Sequence, residues 1–468
     1  MKDPKDINPD DYTQPFLDFI NENPTVFHAV HYFEERLDKE GFQKLSERNT
    51  WEETLRKGGK YYLTRNGSSL VAFTIPEHYS VGDGVAMIAG HIDAVTARLK
   101  PISKKPNTAG YLQLGVAPYA GGLNSTWWDR DLGLGGRVIV KNADGTIQSR
   151  LVRLDWPVAR VSTLAPHFGA PAHGPFNPET QMVPAIGLES DEDDQRLLPE
   201  GTFVSNQPAR LVKAIAQELN ITDYSSILNW DLELYEFAPG QLGGLSKELI
   251  FAPRIDDKLC SFGAFEGLLE TSKDLSTRNT ISLCALFDNE EIGSRLRQGA
   301  MGNLLSGTVE RIVESFSGGK SYVNTLSQTY ANSFLVSADV THAVNPNFLS
   351  SYLPDHAPRL NVGITIAADP NGHMTTDAVS SALFQRIADK AGHKVQVFQI
   401  RNDSRSGGTV GPMLSTNMGV RAIDAGMAQL SMHSVRAACG AKDPGLMAQI
   451  SAAFYEYFEE VDGEFEDE

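Results

Sequence analysis

The stretch ISLCALFDNEEIGS, residues Ile281–Ser294, joins an unbroken apolar run to a cluster of carboxylates. The run Ile281–Leu286 has the length and composition of a strand that is buried on both faces of a sheet. It ends at Asp288, Glu290 and Glu291, which form either a solvated acidic turn or a site with chemistry. In open α/β sheets, ligands bind beyond the carboxyl ends of strands, so the second interpretation needs partners at other strand ends.

Further apolar runs lie on both sides of this stretch and alternate with helical patterns. They include GVAMIAG, SFLVSAD, VGITIAAD and KVQVFQI, and LCSFGAFEGLLETS has helical periodicity. This alternation predicts an α/β domain with a largely parallel sheet. An Asn-Gly pair within GKYYLTRNGSSLVAFTI predicts a β-hairpin. For the first long helix, Asn23 is the predicted N-cap and Pro24 the first helical residue.

The middle of the chain has a different composition. From about Pro101 to Leu228, Pro and Gly are frequent and short alternating strand patterns replace long helical ones. We therefore predict a β-rich domain of residues 98–231. It is inserted into a split α/β domain formed by residues 1–97 and 232–468.

Composition narrows the classes of function. The chain has 468 residues, 41% of them hydrophobic, and a formal charge of −18, which argues against nucleic acid or an anionic membrane as partner. The apolar runs are too short for a transmembrane helix, and the first residues have no apolar core of a signal peptide. Three cysteines cannot form a disulfide framework, which fits synthesis in a reducing compartment.

Acidic residues and histidines cluster in five short segments of the predicted α/β domain. Alone, a strand-end Asp is more often a turn residue or helix cap, and a lone His is more often packed or exposed. Together they offer two His, two Asp and one Glu, which is a ligand set that zinc accepts. The segments are GHID with His91 and Asp93, PRIDDK with Asp256 and Asp257, DNEEIG with Glu290 and Glu291, SADVTH with Asp339 and His342, and SMHS with His433.

Two of these pairs have informative spacing. His91 and Asp93 lie at positions i and i+2, which share one face of a strand, so the carboxylate is placed to orient a metal-bound imidazole. Glu290 and Glu291 are adjacent and cannot share one contact geometry. One is therefore free to bind metal while the other moves a proton, and Asp288 is expected only to brace the turn.

These segments belong to a longer series of motifs. In chain order the series includes GHIDA, WWDRDLGLGG, LAPHFG, FAPRIDDKLCS, DNEEIGS, SADVTHAVNPNF, NDSRSGGTVGP and SMHSVRA. With this series the chain resembles the aspartyl aminopeptidase family of co-catalytic zinc metallopeptidases over nearly its whole length, and most of all the fungal vacuolar aminopeptidase I branch. The resemblance implies a zinc-exopeptidase-like α/β/α catalytic domain with a mostly parallel mixed sheet, and an inserted β-rich dimerisation domain.

The resemblance also implies a division of ligands between two zinc ions per subunit. His91 and Asp339 match ligands of the first zinc, and Glu291 and His433 match ligands of the second. Asp256 matches the carboxylate that bridges the two ions. Cobalt or manganese also suits such a site.

Other positions carry implied catalytic or substrate-binding roles. Glu290 matches the general base and acid, and Asp93 the residue that orients His91. For peptide substrates, the resemblance and the loop positions point to His167, His342 and Gly408 as binding residues. Of these, His167 matches a histidine that enters the active site of a neighbouring subunit.

Assembly and destination follow from the same resemblance. Members of the family form tetrahedral dodecamers, so we expect a homododecamer. The vacuolar branch implies delivery from the cytoplasm to the vacuole lumen without a signal peptide, with a selective-autophagy receptor as partner. Only some ten residues precede YTQPFLDFI, which leaves a trimmed form or a cytoplasmic location as alternatives.

Substrate preference depends on one missing lysine. Acid-preferring members carry a lysine on the strand that corresponds to VGITIAAD, where this chain has Ala367 and no lysine between Val362 and Thr376. A buried acidic side chain without a cationic partner is costly, so we predict a preference for neutral, apolar N-terminal residues such as Leu. The alternatives are an Asp or Glu preference, another two-metal hydrolase such as a carboxypeptidase or N-deacylase, and a self-assembling autophagy cargo or scaffold with a vestigial site.

Overall fold

The computed structural model of the chain describes residues 3–191, 195–319 and 323–465. Within these ranges it contains nine α-helices and 20 β-strands. The helices are α1 (Thr13–Glu22), α2 (Val26–Lys39), α3 (Ala209–Glu218), α4 (Ile255–Thr271), α5 (Leu304–Phe316), α6 (Val323–Ala331), α7 (Ala378–Ala391), α8 (Gly411–Met418) and α9 (Asp443–Asp462). The strands are β1 (Gln43–Lys44), β2 (Lys60–Arg65), β3 (Ser69–Thr74), β4 (Val85–His91), β5 (Thr96–Lys104), β6 (Tyr111–Tyr119), β7 (Leu132–Lys141), β8 (Ile147–Arg153), β9 (Ala185–Leu188), β10 (Ile227–Glu236), β11 (Gln241–Gly243), β12 (Leu249–Ala252), β13 (Ile281–Phe287), β14 (Phe334–Ser337), β15 (Thr341–His342), β16 (Ile364–Ala367), β17 (Val395–Phe398), β18 (Arg421–Gly426), β19 (Ala428–Gln429) and β20 (Ala437–Gly440).

A nine-stranded mixed sheet forms the larger part of the molecule. Its order is β1-β2-β3-β13-β4-β14-β18-β16-β17, and the four central strands β13, β4, β14 and β18 run parallel to one another. This confirms the predicted α/β class with a mostly parallel mixed sheet. Every residue of β4 and β13 is buried, as expected for central strands that are covered on both faces.

Helices cover both faces of this sheet and make a three-layer α/β/α arrangement. One core lies between the sheet and helices α1, α2, α4, α7 and α9, and it includes Phe33, Phe265 and Phe454. The other lies under α5, α6 and α8, and it includes Val309 and Leu414. None of the helices in the described ranges has the length and apolar character needed to cross a membrane.

The second sheet has six strands in the order β8-β7-β10-β5-β6-β9, and every neighbouring pair is antiparallel. It packs with α3 around a separate core that contains Leu134, Val212 and Trp230. Its strands begin at Thr96 in β5 and end at Glu236 in β10. The division of the chain into 1–97, 98–231 and 232–468 stays a prediction.

Close packing between α4 and α9 fixes the helix that carries Asp256. A Cβ on Gly267 of α4 would lie 2.5 Å from the Cβ of Ser451 and 2.8 Å from the backbone nitrogen of Ala452 in α9. Because the second neighbour is backbone, the two helices pack this closely only if position 267 is glycine.

The hairpin prediction is confirmed and the first N-cap prediction is wrong. Asn66 and Gly67 both have positive φ and join β2 to β3 as a tight turn. Thr25, not Asn23, is the N-cap of α2, and its side-chain oxygen accepts from the backbone N–H of His28 at 3.5 Å. Asn23 instead ends α1, where its side chain donates to the carbonyl of Phe19 at 2.9 Å.

Candidate metal centre

Three parallel strands bring their carboxyl ends to one edge of the large sheet. In the register of the sheet, Phe287 at the end of β13 pairs with His91 at the end of β4, and Ser337 at the end of β14 pairs with Ala89. The residues that follow these strand ends therefore emerge side by side. Segments separated by about 200 residues in the sequence become neighbours at this edge.

Two further segments complete the cluster from outside the large sheet. Asp256 lies at the N-terminal end of α4 and departs from helical backbone angles. His433 lies between β19 and β20 and has a left-handed φ of 60°. The antiparallel pair β12–β20 places these two segments next to each other, because β12 leads into α4.

The first group of ligand atoms surrounds the ring of His91. Its Nε2 lies 3.1 Å from Oδ1 of Asp256 and 3.7 Å from Oδ1 of Asp339. Its Nδ1 faces Oδ1 of Asp93 at 3.3 Å. Asp257 is also close, but its two oxygens lie against the backbone N–H groups of His91 and Val340 at 3.4 and 3.2 Å. Asp257 therefore braces the strand ends, while Asp256 turns its Oδ1 toward the His91 ring.

The second group surrounds the ring of His433. Its Nε2 lies 3.5 Å from Oδ2 of Asp256 and 3.4 Å from Oε2 of Glu291. Asp256 thus turns one oxygen toward each histidine, since its Oδ1 faces His91. The two groups of ligand atoms therefore share Asp256.

The acidic turn after β13 separates the two adjacent glutamates. Asn289 has a left-handed φ of 65°, and Glu290–Ile292 form a single 3-10 turn. The Asp93 carboxylate accepts from the backbone N–H groups of Glu290 and Glu291 at 3.1 and 3.2 Å. The Glu290 carboxylate consequently faces the first group, with Oε2 3.8 Å from Nε2 of His91, while that of Glu291 faces the second.

Burial dominates the electrostatics of these carboxyls. It raises the pKa of Glu290 to about 8 and the pKa of Glu291 to about 10, and the neighbouring carboxylates Asp339 and Asp256 add to the respective shifts. Burial alone would lower the pKa of His91, but its contacts with Asp256 and Asp339 raise that pKa well above its ordinary value. The centre is therefore a buried concentration of acidic groups, whose charged forms are disfavoured without a cation beside them.

The donor set fits divalent zinc. Imidazole nitrogens and carboxylate oxygens are established zinc ligands, and each group offers one histidine and carboxylates on separate elements. Glu291 also has a buried oxygen, Oε1, with no hydrogen-bond partner among the described residues. A cation next to these carboxylates would compensate both the charge and the unpartnered oxygen.

Both groups open into one cavity of about 340 Å³. His342 and Gly408 line it, as predicted for substrate-binding residues, and the His342 ring packs on Phe398 with centroids 5.5 Å apart. His373 and Arg405, the latter in the same Gly-rich loop as Gly408, line a neighbouring cavity of about 560 Å³. The roles of His342 and Gly408 stay predictions.

His167 lies elsewhere in this subunit. It is exposed on the 3-10 turn Pro166–Phe168, where its ring stacks on Phe168, and it is not among the described residues that line the cavity. This position is compatible with a role in a neighbouring subunit, which stays a prediction.

Sequence reasoning missed several residues that support the centre. Tyr119 of β6 donates its hydroxyl to Oδ2 of Asp93 at 2.7 Å, and Asn289 donates to the same hydroxyl at 3.0 Å. Asn289 adjoins the predicted residue Glu290 and was detectable from that adjacency. Tyr119 comes from the other sheet, and no local pattern marks it.

Comparisons with known proteins agree with this site. Residues 19–457 match the family model described as Aminopeptidase I zinc metalloprotease (M18). The chain is 45% identical to vacuolar aminopeptidase 1 of Saccharomyces cerevisiae, over 98% of this chain and 90% of the relative. It is 39% identical to an aspartyl aminopeptidase of Aspergillus oryzae, over 95% of each chain.

Solved structures show the same likeness. The structure of Chaetomium thermophilum mApe1 matches with a TM-score of 0.91 at 53% identity, over 98% of this chain and 100% of that one. The S. cerevisiae mApe1 dodecamer matches with a TM-score of 0.87 at 40% identity, over 98% and 99%. Ape4 in a complex with Nbr1 matches with a TM-score of 0.92 at 37% identity, over 97% and 87%.

The fold and the site define a metal-dependent hydrolase of the α/β/α exopeptidase class. The chain belongs to the M18 family of zinc aminopeptidases, which confirms the resemblance seen in its motifs and makes it a zinc-dependent aminopeptidase.

Proposed function

We propose that this aminopeptidase holds two zinc ions per subunit and removes neutral, apolar residues from the N-termini of peptides. His91 and Asp339 would hold the first ion and Glu291 and His433 would hold the second, while Asp256 offers one oxygen to each group. The observation that carries the two-ion centre is the orientation of Asp256. Its two oxygens face two different histidines at 3.1 and 3.5 Å.

Glu290 acts as the general base and acid in this proposal. When bound, zinc polarises a peptide carbonyl and makes water more acidic. The Glu290 carboxylate takes a proton from the attacking water and passes it to the leaving nitrogen as the carbon–nitrogen bond breaks. Asp93 supports both steps, because it orients the His91 ring and holds the backbone of Glu290.

The walls of the cavity support the preference for neutral residues. Six apolar side chains line it, and the described lining residues include no lysine or arginine. Burial lowers the pKa of the lining residue His342, so this ring favours its neutral form. An acidic substrate side chain would lose water there without gaining a cationic partner. The six apolar side chains are Val340, Met374, Phe398, Ile400, Met413 and Met432.

Ala367 is the position at which acid-preferring members of the family are expected to carry a lysine. It is buried at the end of β16, and it is not among the lining residues of the cavity. The neutral character of the cavity therefore depends on the six apolar side chains and on the absence of lysine and arginine from its described lining.

A substrate panel on zinc-loaded enzyme tests the proposal. We expect kcat/KM for Leu-p-nitroanilide to exceed that for Asp-p-nitroanilide by about tenfold or more, since an unpaired buried charge is strongly disfavoured. N-acetyl-Leu-p-nitroanilide should not be hydrolysed. Faster hydrolysis of the Asp substrate would replace the proposal with the acidic preference that the names of several relatives carry.

For assembly, we propose a homododecamer in which His167 enters the active site of a neighbouring subunit. The dodecameric mApe1 structure supports this, and so do large apolar side chains exposed on the second sheet or in its loops, such as Leu188 at the end of β9 and Trp156 after β8. Mass measurement in solution should give twelve subunits per particle. A monomer that hydrolyses Leu-p-nitroanilide at full rate would exclude the role of His167.

For destination, we propose delivery to the vacuole lumen by a selective-autophagy receptor. The name of the S. cerevisiae relative and the Ape4–Nbr1 complex support this proposal. A fluorescent fusion should enter the vacuole in cells that have the receptor and remain cytoplasmic in cells that lack it. Vacuolar fluorescence without the receptor would contradict the proposed route.

A further inference from the structure

One short turn of the second sheet reaches both groups of ligand atoms. It runs from Tyr119, the last residue of β6, to Thr126, and we refer to residues 119–126 as the contact turn. Its residues bond to segments that carry ligands of both proposed ions. The inserted part of the chain therefore touches the metal centre directly.

At the first group, the contact turn acts through Asp93. The Tyr119 hydroxyl donates to Oδ2 of Asp93 at 2.7 Å, and Oδ1 of the same carboxylate faces Nδ1 of His91 at 3.3 Å. Tyr119 is held on two further sides. Its hydroxyl accepts from Asn289 at 3.0 Å, and the Arg98 guanidinium lies 3.9 Å from the centre of its ring.

At the second group, the contact turn holds the backbone around His433. The Asn124 side chain donates to the carbonyl of His433 at 2.9 Å. The backbone N–H of Val435 donates to Oγ1 of Thr126 at 2.8 Å. The His433 side chain is 54% exposed, so packing does little to hold its ring, and these backbone bonds matter correspondingly more.

The contact turn is itself fixed. Leu123 and Trp127 are buried in the core of the second sheet. A Cβ on Gly122 would lie 1.8 Å from the carbonyl oxygen of Thr96, which shows how closely the turn approaches β5. Asn124 also accepts from the N–H and hydroxyl of Thr126 at 2.9 and 2.6 Å. The turn thus transmits the position of the second sheet to the ligands.

We propose that the contact turn is a positioning element that sets the affinity of both zinc positions, the first through Tyr119 and the second through Asn124 and Thr126. The inference rests on the proposed two-ion centre. Partners of metal ligands orient those ligands, and their removal weakens metal binding by about 10–100-fold. The second sheet consequently contributes to metal affinity without supplying a ligand.

Two substitutions separate the two positions. Tyr119→Phe keeps the ring and removes only the hydroxyl that bonds Asp93. Asn124→Ser keeps an oxygen that caps the N–H of Thr126 but does not reach the carbonyl of His433. Tyr111→Phe, an exposed tyrosine on the same strand, and Asn142→Ser, in the hairpin between β7 and β8, are the matched controls.

Zinc affinity is measured by competition with a chelator of known affinity, with zinc per subunit counted by elemental analysis. We expect each test variant to weaken one of the two binding steps by about 10–100-fold and both controls to bind as the wild type does. The proposal is overturned if both test variants bind zinc within twofold of the wild type.

The melting temperature of the metal-free variants separates positioning from general destabilisation. A purely structural role would lower this temperature and leave both zinc affinities unchanged, which also overturns the proposal. If Tyr119→Phe does not fold, the affinity of Asn124→Ser at the second zinc-binding step decides whether the proposal holds. A wild type that binds a single zinc would refute the two-ion centre itself, which is a distinguishable result.

Discussion

The two sheets of this chain place their polar residues in opposite ways. In the nine-stranded sheet the central strands are parallel, so the segments after β4, β13 and β14 meet at one edge. In the six-stranded sheet every neighbouring pair is antiparallel, so adjacent strands end at opposite edges. The first arrangement concentrates ligands, whereas the second gives a rigid support with exposed apolar side chains such as Trp156.

The residues proposed to bind metal and the residues that hold them in place thus come from different parts of the molecule. All five proposed ligands come from segments associated with the larger α/β part. Tyr119 and Asn124, which bond to the surroundings of two of these ligands, belong to the smaller sheet and its turn. Substitutions in each part show whether this separation holds.

The largest effect is expected at the strand-end edge itself. Glu290→Gln removes the proposed proton carrier, so kcat for Leu-p-nitroanilide should fall by about 10²–10⁴-fold. Glu314→Gln on the exposed surface of α5 is the matched control and should hydrolyse the substrate at the wild-type rate. Retention of more than a tenth of wild-type kcat in the Glu290 variant would refute its role.

The next effect probes the smaller sheet as a contributor to catalysis. His167→Ala should lower kcat/KM by about 10–100-fold, as expected when a hydrogen bond to a charged group is lost. His173→Ala, at another exposed histidine nearby, is the control. Co-assembly of His167→Ala subunits with Glu290→Gln subunits should restore activity, because some sites then combine intact residues from two subunits. Mixed particles with no recovered activity would contradict action between subunits.

The next effect is on stability and concerns the packing of α4, the helix that carries Asp256, against α9. Gly267→Ala forces a Cβ to 2.8 Å from backbone in α9, which should lower the free energy of unfolding by about 1–3 kcal/mol. Gly307→Ala in α5 has its nearest neighbour at 3.7 Å and should instead stabilise by up to about 1 kcal/mol. Denaturant unfolding measures both, and equal effects of the two substitutions would show that α4–α9 packing is not tight.

The last effect appears only at acid pH and concerns the buried histidine His393. Burial lowers its pKa to about 4, its Nε2 accepts from the backbone N–H of Ile364 at 3.1 Å, and its Nδ1 lies 3.1 Å from Oε1 of Gln449. Above about pH 6.5 the ring is neutral in both the folded and unfolded states. Between pH 6.5 and 4 the unfolded state binds a proton that the folded state does not. The free energy of unfolding therefore decreases as the pH is lowered through this range.

At the acid end of that range, His393 lowers the free energy of unfolding by an amount on the order of 3 kcal/mol. His393→Gln cannot take up a proton, so its melting temperature should fall less between pH 6.5 and 4 than that of the wild type. His78→Gln, at an exposed histidine, is the control. Parallel pH profiles for the wild type and His393→Gln would contradict the buried neutral ring.

Much of the fold and the ligand set was predictable because both depend on local patterns. The apolar runs of β4 and β13 predicted central strands, and the carboxylates after them predicted a site at the carboxyl ends of those strands. The Asn66–Gly67 turn was predictable because few residue pairs adopt two positive φ values. By contrast, Asn23 was assigned to the wrong helix end, since its side chain bonds equally well to the carbonyl of Phe19.

The support of the centre was not predictable from the sequence alone. Tyr119 and Asp93 are 26 residues apart, Tyr119 at the end of β6 and Asp93 in the segment between β4 and β5, and the bond between them depends on how the second sheet folds back onto that segment. Asn124 and His433 are 309 residues apart, so the bond between them was not predictable either.

The most direct test of the two-ion centre is the zinc content of three proteins measured side by side. Elemental analysis should give two zinc ions per subunit for the wild type and for Glu290→Gln, and one for Glu291→Gln. That result would assign proton transfer to the first glutamate and metal binding to the second. Two ions in Glu291→Gln, or the loss of an ion in Glu290→Gln alone, would contradict the proposed roles of these adjacent residues.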